Sequence, residues 1–258
     1  MKRIFWVLTA VFIVMSCTDN GEIAKAKKTD FLPDSVLTKR WQAIKILKDS
    51  IREGDLVLRC GNDHISESLR DFSQQEKLYS HSGIALTHNG EMFIYSNMAG
   101  DINPNEIMRR DNVDSFLSPV HNLAAGVYRY DFSKEESAKL KSIVEAHYIN
   151  RLPFDMNFDL ATDHKMYCAE MIAKSVERAT ANRILIQKSP VTKELRQKYL
   201  KMALNKKVVP SVKSGNARKE YWSIDNLYLN PHCREVKRTI FGDPQQLIRF
   251  PTPENYTH

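Results

Sequence analysis

The sequence predicts an α+β fold in which an antiparallel sheet packs against separate helices. Asn89-Gly90 lies between two β-rich runs, His81 to Thr87 and Glu91 to Asn97. Asn-Gly in this setting is the strongest short-range signal for a hairpin. Ser133 and Glu136 match a capping box, which marks the start of a helix. Because strand runs and helices form separate clusters along the chain, a doubly wound parallel sheet is disfavoured.

Hydrophobic periodicity places the other elements in chain order. After Asp34, apolar residues recur at steps of three and four, so we expect a helix that ends near Glu53-Gly54. Two further helices are predicted at 65–72 and from Cys168, two strands at 55–60 and 126–132, and two extended segments at 222–230 and 236–241. We expect one domain over 34–250, a Lys-rich insertion or lid near 188–221, and a tail at 251–258.

Composition narrows the functional class. The chain has 258 residues, of which 42% are hydrophobic and 27% charged, and this excludes a disordered, collagen-like or disulfide-scaffold protein. Lys and Arg outnumber Asp and Glu by 38 to 31 but are spread along the chain without a nucleic-acid motif, so we expect no nucleic-acid partner. The four Cys form no C-x-x-C pair, so neither a metal nor a cofactor is predicted.

The N-terminus has the pattern of a secretory signal. Lys2 and Arg3 precede the apolar run Ile4 to Met15, which is too short to span a bilayer as a helix. Val14-Met15-Ser16-Cys17 resembles the lipobox of bacterial lipoproteins, and this resemblance implies a signal peptide over 1–16 and a lipid on Cys17. The alternative is an ordinary signal peptide or a short anchor with an incidental Cys.

A lipoprotein signal would place the protein in the bacterial cell envelope. Loss of 1–16 lowers the formal charge from +7 to +5, and a basic protein suits an anionic envelope surface. The polar stretch 17–33 would then be a flexible tether between the membrane and the domain.

Three fragments together suggest an enzyme: Gly54-Asp55-Leu56-Val57, Ser80 to Leu86, and Tyr167-Cys168-Ala169-Glu170-Met171-Ile172. In this order they resemble the permuted papain-like enzymes of the YiiX and YaeF kind, which are relatives of NlpC-type cell-wall peptidases. In NlpC-type enzymes the nucleophilic Cys precedes the other two fragments, whereas Cys168 follows them. The resemblance implies a circularly permuted papain-like fold, with Cys168 as nucleophile and His81 as base.

The residues support these roles independently. A Cys at the first turn of a helix faces unpaired N–H groups and the positive end of the helix dipole, so we expect a lowered thiol pKa for Cys168. An imidazole such as that of His81 can deprotonate a thiol and later protonate a leaving group. Gly83, which lacks a side chain, would leave room near the imidazole. The backbone N–H of Cys168 is the expected oxyanion donor.

A third residue should orient the imidazole. With a two-residue Asn89-Gly90 loop, Gly83 opposes Ser96 and His81 opposes Met98, so Ser96 projects on the side of His81. A register slip would bring in Asn97 instead. Ser96 and Asn97 are therefore the two candidates.

Residues near Cys168 in sequence are candidates for substrate binding. Asp155 and Asp159 could bind a substrate amine or merely cap local turns, while His164 and Tyr167 could contact substrate. Glu170 is expected to fix the start of the helix. Cys60 and Cys233 are either core thiols or a disulfide.

We therefore expect a monomeric, envelope-anchored cysteine amidase or peptidase. Its expected substrate is a peptidoglycan-derived peptide or a small acyl-amine. Two alternatives remain open at this point: a lipid acyltransferase or thioesterase on the same fold, and a non-catalytic envelope-binding lipoprotein.

Overall fold

The computed structural model describes residues 33–98, 106–197 and 220–241. The predicted signal peptide 1–16, the lipidation site Cys17, the tether up to residue 32 and the tail 251–258 lie outside the described residues. Of the predicted Lys-rich insertion, residues 188–197 and 220–221 are described.

Helices and strands alternate irregularly along the chain. The helices are α1 Asp34–Lys48, α2 His64–Arg70, α3 Val113–Phe116, α4 Lys134–Ile149, α5 Cys168–Ala179 and α6 Ile224–Tyr228. The strands are β1 Leu56–Gly61, β2 His81–His88, β3 Glu91–Ser96, β4 Arg109–Asn112, β5 Asn122–Tyr130, β6 Ser189–Pro190, β7 Glu220–Tyr221 and β8 Cys233–Ile240.

Six strands form one antiparallel sheet in the order β4-β3-β2-β1-β5-β8, and β6 pairs with β7 separately. One face of the six-stranded sheet packs against α4, α5 and α6, and the other packs against α1 and α3. Successive residues of a strand point to opposite faces. Ile84 and Leu86 of β2 therefore lie in the first core, whereas Ala85 lies in the second.

The predicted α+β class with an antiparallel sheet is confirmed. The hairpin has the expected register, with Ile84 opposite Tyr95 and His88 opposite Glu91. Asn89 and Gly90 both have positive φ, 52° and 83°, as a type I′ turn requires. The capping box of Ser133 and Glu136 opens α4.

Two local predictions were incomplete. The segment 222–230 was expected to be extended, but it contains α6, which follows Ser223. Ser223 N–H donates to the Asn226 side chain at 2.9 Å, a capping contact that favours the helix. The polar strand β4 was not predicted; it pairs with β3 at an edge of the sheet. Among the described residues, no helix is both long and apolar enough to cross a membrane.

Candidate active site

Cys168 is the first residue of α5. The helix is strongly amphipathic, and its face carrying Ile172 and Val176 is fully buried, which fixes its position on the sheet. The backbone N–H groups of its first turn have no partner within the helix. Cys168 itself is half-buried. The structure thus places Cys168 at a helix N-terminus, as predicted.

The Cys168 sulfur lies against Ser82 of β2. Burial raises the pKa of the Cys168 thiol above its ordinary value, and this effect outweighs the stabilisation that the nearby Ser82 hydroxyl and the Ala169 backbone N–H offer to the thiolate, which lowers the pKa. The expectation of a lowered pKa was therefore wrong. Burial destabilises the thiolate by more than the helix N-terminus stabilises it. At neutral pH the resting group is a thiol.

His81 is the first residue of β2 and is buried. Its Nε2 atom lies 2.9 Å from Ser66 Oγ, and the Ser66 hydroxyl lies 2.7 Å from Asp63 Oδ2. A carboxylate only accepts hydrogen bonds, so the hydroxyl donates to Asp63 and accepts from Nε2–H. This assigns the imidazole proton to Nε2 and leaves Nδ1 as the proton acceptor.

The surroundings of His81 favour the neutral imidazole. Burial, and secondly the positive charge of Arg59, hold the His81 pKa well below its ordinary value, while Asp63 opposes them. Arg59 is the register partner of His81 on β1. A neutral imidazole can accept a proton, which is what a general base requires.

The structure brings the Cys168 sulfur to Ser82, the neighbour of His81, rather than to the imidazole. Ser82 and His81 are consecutive in β2, so their side chains leave the strand toward opposite faces. Both groups lie at the end of the sheet where α5 begins and β2 starts. Within the described part of the chain, no hydrogen bond joins Cys168 to His81, whose ring bonds to Ser66. Catalytic hydrogen bonds are often long without substrate.

Ser96 and Asn97 do not orient the imidazole. The Ser96 hydroxyl is buried and has no hydrogen-bond partner. The Asn97 amide donates to the carbonyl oxygens of Pro153 and Met166, at 3.2 and 2.7 Å. Asn97 therefore holds the segment that leads into Cys168. The partner of His81 is Ser66 instead, because α2 lies at the end of β1 next to the start of β2.

Ser66 and Asp63 were missed in the sequence, although Asp63 carries a recognisable signal. It is the N-cap of α2 and accepts the backbone N–H groups of Ile65 and Ser66. A Cβ atom at Gly61 would lie 2.2 Å from Ser66 Oγ and 2.7 Å from Asp63 Oδ2. Only glycine leaves room for this pair. The pattern Gly-Asn-Asp before a short helix was thus the available clue.

Contrary to expectation, the missing side chain of Gly83 does not make room near the His81 imidazole. A Cβ atom there would lie 2.5 Å from Ile94 Cγ2 and 3.0 Å from the Tyr95 carbonyl oxygen. The missing side chain therefore admits the neighbouring strand β3 and not a group that approaches His81.

Asp155 and Tyr167 have structural partners. Asp155 is fully buried and accepts the backbone N–H groups of Asn157 and Asp159, so it caps a turn. The Tyr167 hydroxyl accepts the Trp222 backbone N–H at 2.8 Å, in the core. These contacts do not support the predicted substrate-binding roles of Asp155 and Tyr167.

The other two candidates lie nearer to solvent. Asp159 is half-buried and accepts the Ala161 backbone N–H at 3.1 Å, which is again a turn contact. His164 is exposed in the turn before α5. Of the four predicted substrate-binding residues, His164 alone therefore keeps its side chain in solvent.

Glu170 stabilises the start of α5, as expected. Its Oε1 atom lies 2.8 Å from Lys174 Nζ, and Oε2 accepts the Tyr167 backbone N–H at 3.4 Å. Burial raises the pKa of Glu170 to about 7, against the opposing effect of Lys174.

Cys60 and Cys233 are free thiols. Cys60 pairs with Ala124 and Cys233 with Tyr130, at opposite ends of β5. The disulfide alternative therefore does not hold for this pair, since the two residues are separated by the length of the strand.

Comparisons with known proteins identify the family of the chain. The chain matches the family described as permuted papain-like amidase enzyme, YaeF/YiiX, C92 family, over residues 50–213, which is more than half of its length. The chain belongs to this family. The search of curated proteins returned no match.

A similar solved structure is that of metalloprotein yiiX from Escherichia coli O157:H7. The identity is 16% and the TM-score 0.57, and the alignment covers 74% of this chain and 99% of that one. This likeness shows the permuted papain-like fold. In the part of the present chain that the structure describes, no three His, Cys, Asp or Glu side chains group to hold a metal ion. The described residues therefore do not fit a metal centre.

Proposed function

We propose that this family member is a cysteine hydrolase that cleaves an amide bond through a thioester on Cys168. The observation that carries the proposal is the fixed imidazole of His81. Its Nε2–H donates to the Ser66 hydroxyl, which in turn donates to Asp63, and its strand neighbour Ser82 contacts the Cys168 sulfur. A nucleophile, a base and an orienting group are the parts that covalent catalysis requires.

The proposed reaction has two steps. The imidazole and the sulfur make no hydrogen bond at rest, so in the first step the two groups approach each other with substrate bound and His81 Nδ1 takes the thiol proton. The sulfur bonds to the substrate carbonyl carbon, and the oxyanion accepts a hydrogen bond from the Cys168 backbone N–H. The amide C–N bond then breaks as His81 returns the proton to the leaving amine. In the second, His81 deprotonates a water molecule, whose oxygen bonds to the thioester carbonyl carbon. The C–S bond then breaks, the carboxylic acid leaves, and His81 returns the proton to the sulfur to restore the thiol.

We further propose a peptidoglycan-derived peptide or a small acyl-amine as substrate, and a monomer attached to the bacterial envelope through lipid on Cys17. The basic charge and the lipobox-like Val14-Met15-Ser16-Cys17 support this location. Incorporation of labelled palmitate into the full chain, and its loss in Cys17→Ala, is the expected result. Equal labelling of both chains would exclude Cys17 as the acylated residue.

The activity is tested with the full chain in detergent and a digest of cell-wall stem peptides, by mass spectrometry of the released amines. Cys168→Ala is expected to lower the rate roughly a thousandfold or more. Cys233→Ala is the matched control, because Cys233 is also a half-buried free thiol but lies at the start of β8. Full activity in Cys168→Ala would refute the proposal.

A further inference from the structure

Ser82 has a buried hydroxyl without a partner beside the nucleophile. The residue is completely buried, and its Oγ atom makes no hydrogen bond in the resting structure. A buried hydroxyl that stays unpaired costs free energy. Such a group in a native protein therefore calls for an explanation, and here its nearest reactive neighbour is a thiol.

The position of Ser82 follows from the fold. Ser82 alternates with His81 along β2 and pairs with Leu58 of β1, so it points toward the face covered by α5. The pairing of β3 with β2 ends at Ile84 and Tyr95. Ser82 lies beside Cys168, the first residue of α5.

We propose that the Ser82 hydroxyl is a positioning donor that forms its hydrogen bond when Cys168 becomes a thiolate. The inference rests on the proposed role of Cys168 as nucleophile. A neutral thiol is a weak acceptor, whereas a thiolate is charged, and hydrogen bonds to charged groups are about twice as strong. The bond would be made as the Cys168 proton leaves, so it would favour the reactive form over the resting form.

The titratable residues near Cys168 already have other partners, so Ser82 is the side chain that can donate to the thiolate. From β2, His81 is held neutral and bonded to Ser66. On α5, Glu170 is paired with Lys174. Before α5, the Tyr167 hydroxyl is engaged with Trp222. Stabilisation of the thiolate by the Ser82 hydroxyl is also the largest of the effects that lower the Cys168 pKa against burial.

The test is the pH dependence of Cys168 alkylation by iodoacetamide in the full chain, followed by peptide mass spectrometry. Ser82→Ala removes the donor, so fewer molecules carry the thiolate at a given pH. We expect about tenfold slower alkylation at neutral pH and a midpoint about one pH unit higher. Ser82→Thr keeps a hydroxyl and is expected to restore most of the rate.

Ser96→Ala is the matched control, because Ser96 is also a fully buried serine with an unpaired hydroxyl but lies on β3 on the other face. Its alkylation profile is expected to equal that of the wild type. An unchanged profile in folded Ser82→Ala, judged by thermal unfolding, would overturn the inference, as would equal shifts in Ser82→Ala and Ser96→Ala. Alkylation needs no substrate, so this outcome is independent of whether Cys168→Ala abolishes hydrolysis.

Discussion

The nucleophile side and the base side of the candidate site are held in different ways. On the base side, His81 is fixed by a continuous chain of hydrogen bonds through Ser66 to Asp63. On the nucleophile side, backbone packing positions Cys168, and the sulfur lies next to a hydroxyl that is still unpaired. In the proposed reaction the base is thus organised beforehand, whereas the nucleophile gains its hydrogen-bond partner as it becomes charged.

The pKa values of Cys168 and His81 are shifted in opposite directions. Burial raises the pKa of Cys168 and, together with Arg59, lowers that of His81. Both groups are therefore neutral at rest. In the proposed reaction the two groups would therefore act like a hydroxyl nucleophile and its base, with proton transfer accompanying attack on the substrate, and not as a preformed thiolate–imidazolium ion pair.

Removal of the base gives the largest expected effect. His81→Ala should lower kcat/KM on the stem-peptide digest by about a hundredfold to ten-thousandfold, the range for loss of a general base. His147 on α4 is a matched control, since it is also a partly buried histidine whose pKa burial lowers. His147→Gln should keep nearly full activity. Equal losses in the two variants would show that His81 contributes only to folding.

A change on the nucleophile side should appear mainly as stability. Asn97→Ala removes the side-chain donor to the Met166 carbonyl and one of the two donors to the Pro153 carbonyl, which also accepts the Met166 backbone N–H. We therefore expect a loss of about 2 kcal/mol in the free energy of unfolding in urea. Ser96→Ala removes a hydroxyl that has no partner and should change stability by less than about 0.5 kcal/mol. If Asn97→Ala kept wild-type stability, the assigned role of Asn97 would be wrong.

A change on the base side should appear mainly as activity. Ser66→Ala removes the acceptor of Nε2–H and should lower kcat about fivefold, the factor for one hydrogen bond of about 1 kcal/mol.

Asp63→Asn keeps an N-cap for α2 but removes the charge that raises the His81 pKa. The acid limb of the pH profile of kcat/KM should therefore move to lower pH in this variant. A limb that moves to higher pH would contradict the assigned chain.

The smallest expected effect is the response of the wild type to mild acid. A base works only while it is unprotonated, and the His81 pKa lies well below its ordinary value of 6.5. The rate should therefore fall only at pH values clearly below 6.5, while kcat/KM at pH 6.5 stays within about twofold of its value at pH 7.5. An acid limb with a midpoint above 6.5 would show that His81 is not held neutral.

Local sequence signals predicted the hairpin, α4 and the position of Cys168. Asn89-Gly90, the Ser133 capping box and the periodic apolar residues of α5 each act within a few neighbouring residues. α6 was missed because its five residues are too short for periodicity to separate helix from strand. β4 was missed because its polar residues form a strand only through pairing with β3.

The orienting group could not be found in the hairpin because it does not lie there. The predicted register was right, yet Ser66 reaches His81 from α2, fifteen residues earlier in the chain. The Cys168 pKa was misjudged for a similar reason. The effect of a helix N-terminus can be anticipated from sequence, whereas the burial that outweighs it depends on how α5 packs against β2.

The most direct test of Cys168 as the nucleophile is mass spectrometry of the wild-type chain quenched in acid during turnover of a stem peptide. The account predicts an acyl adduct on the peptide that contains Cys168, released by hydroxylamine as a thioester and absent from Cys168→Ala. An adduct on another residue would contradict it. Turnover by Cys168→Ala at the wild-type rate would contradict it as well.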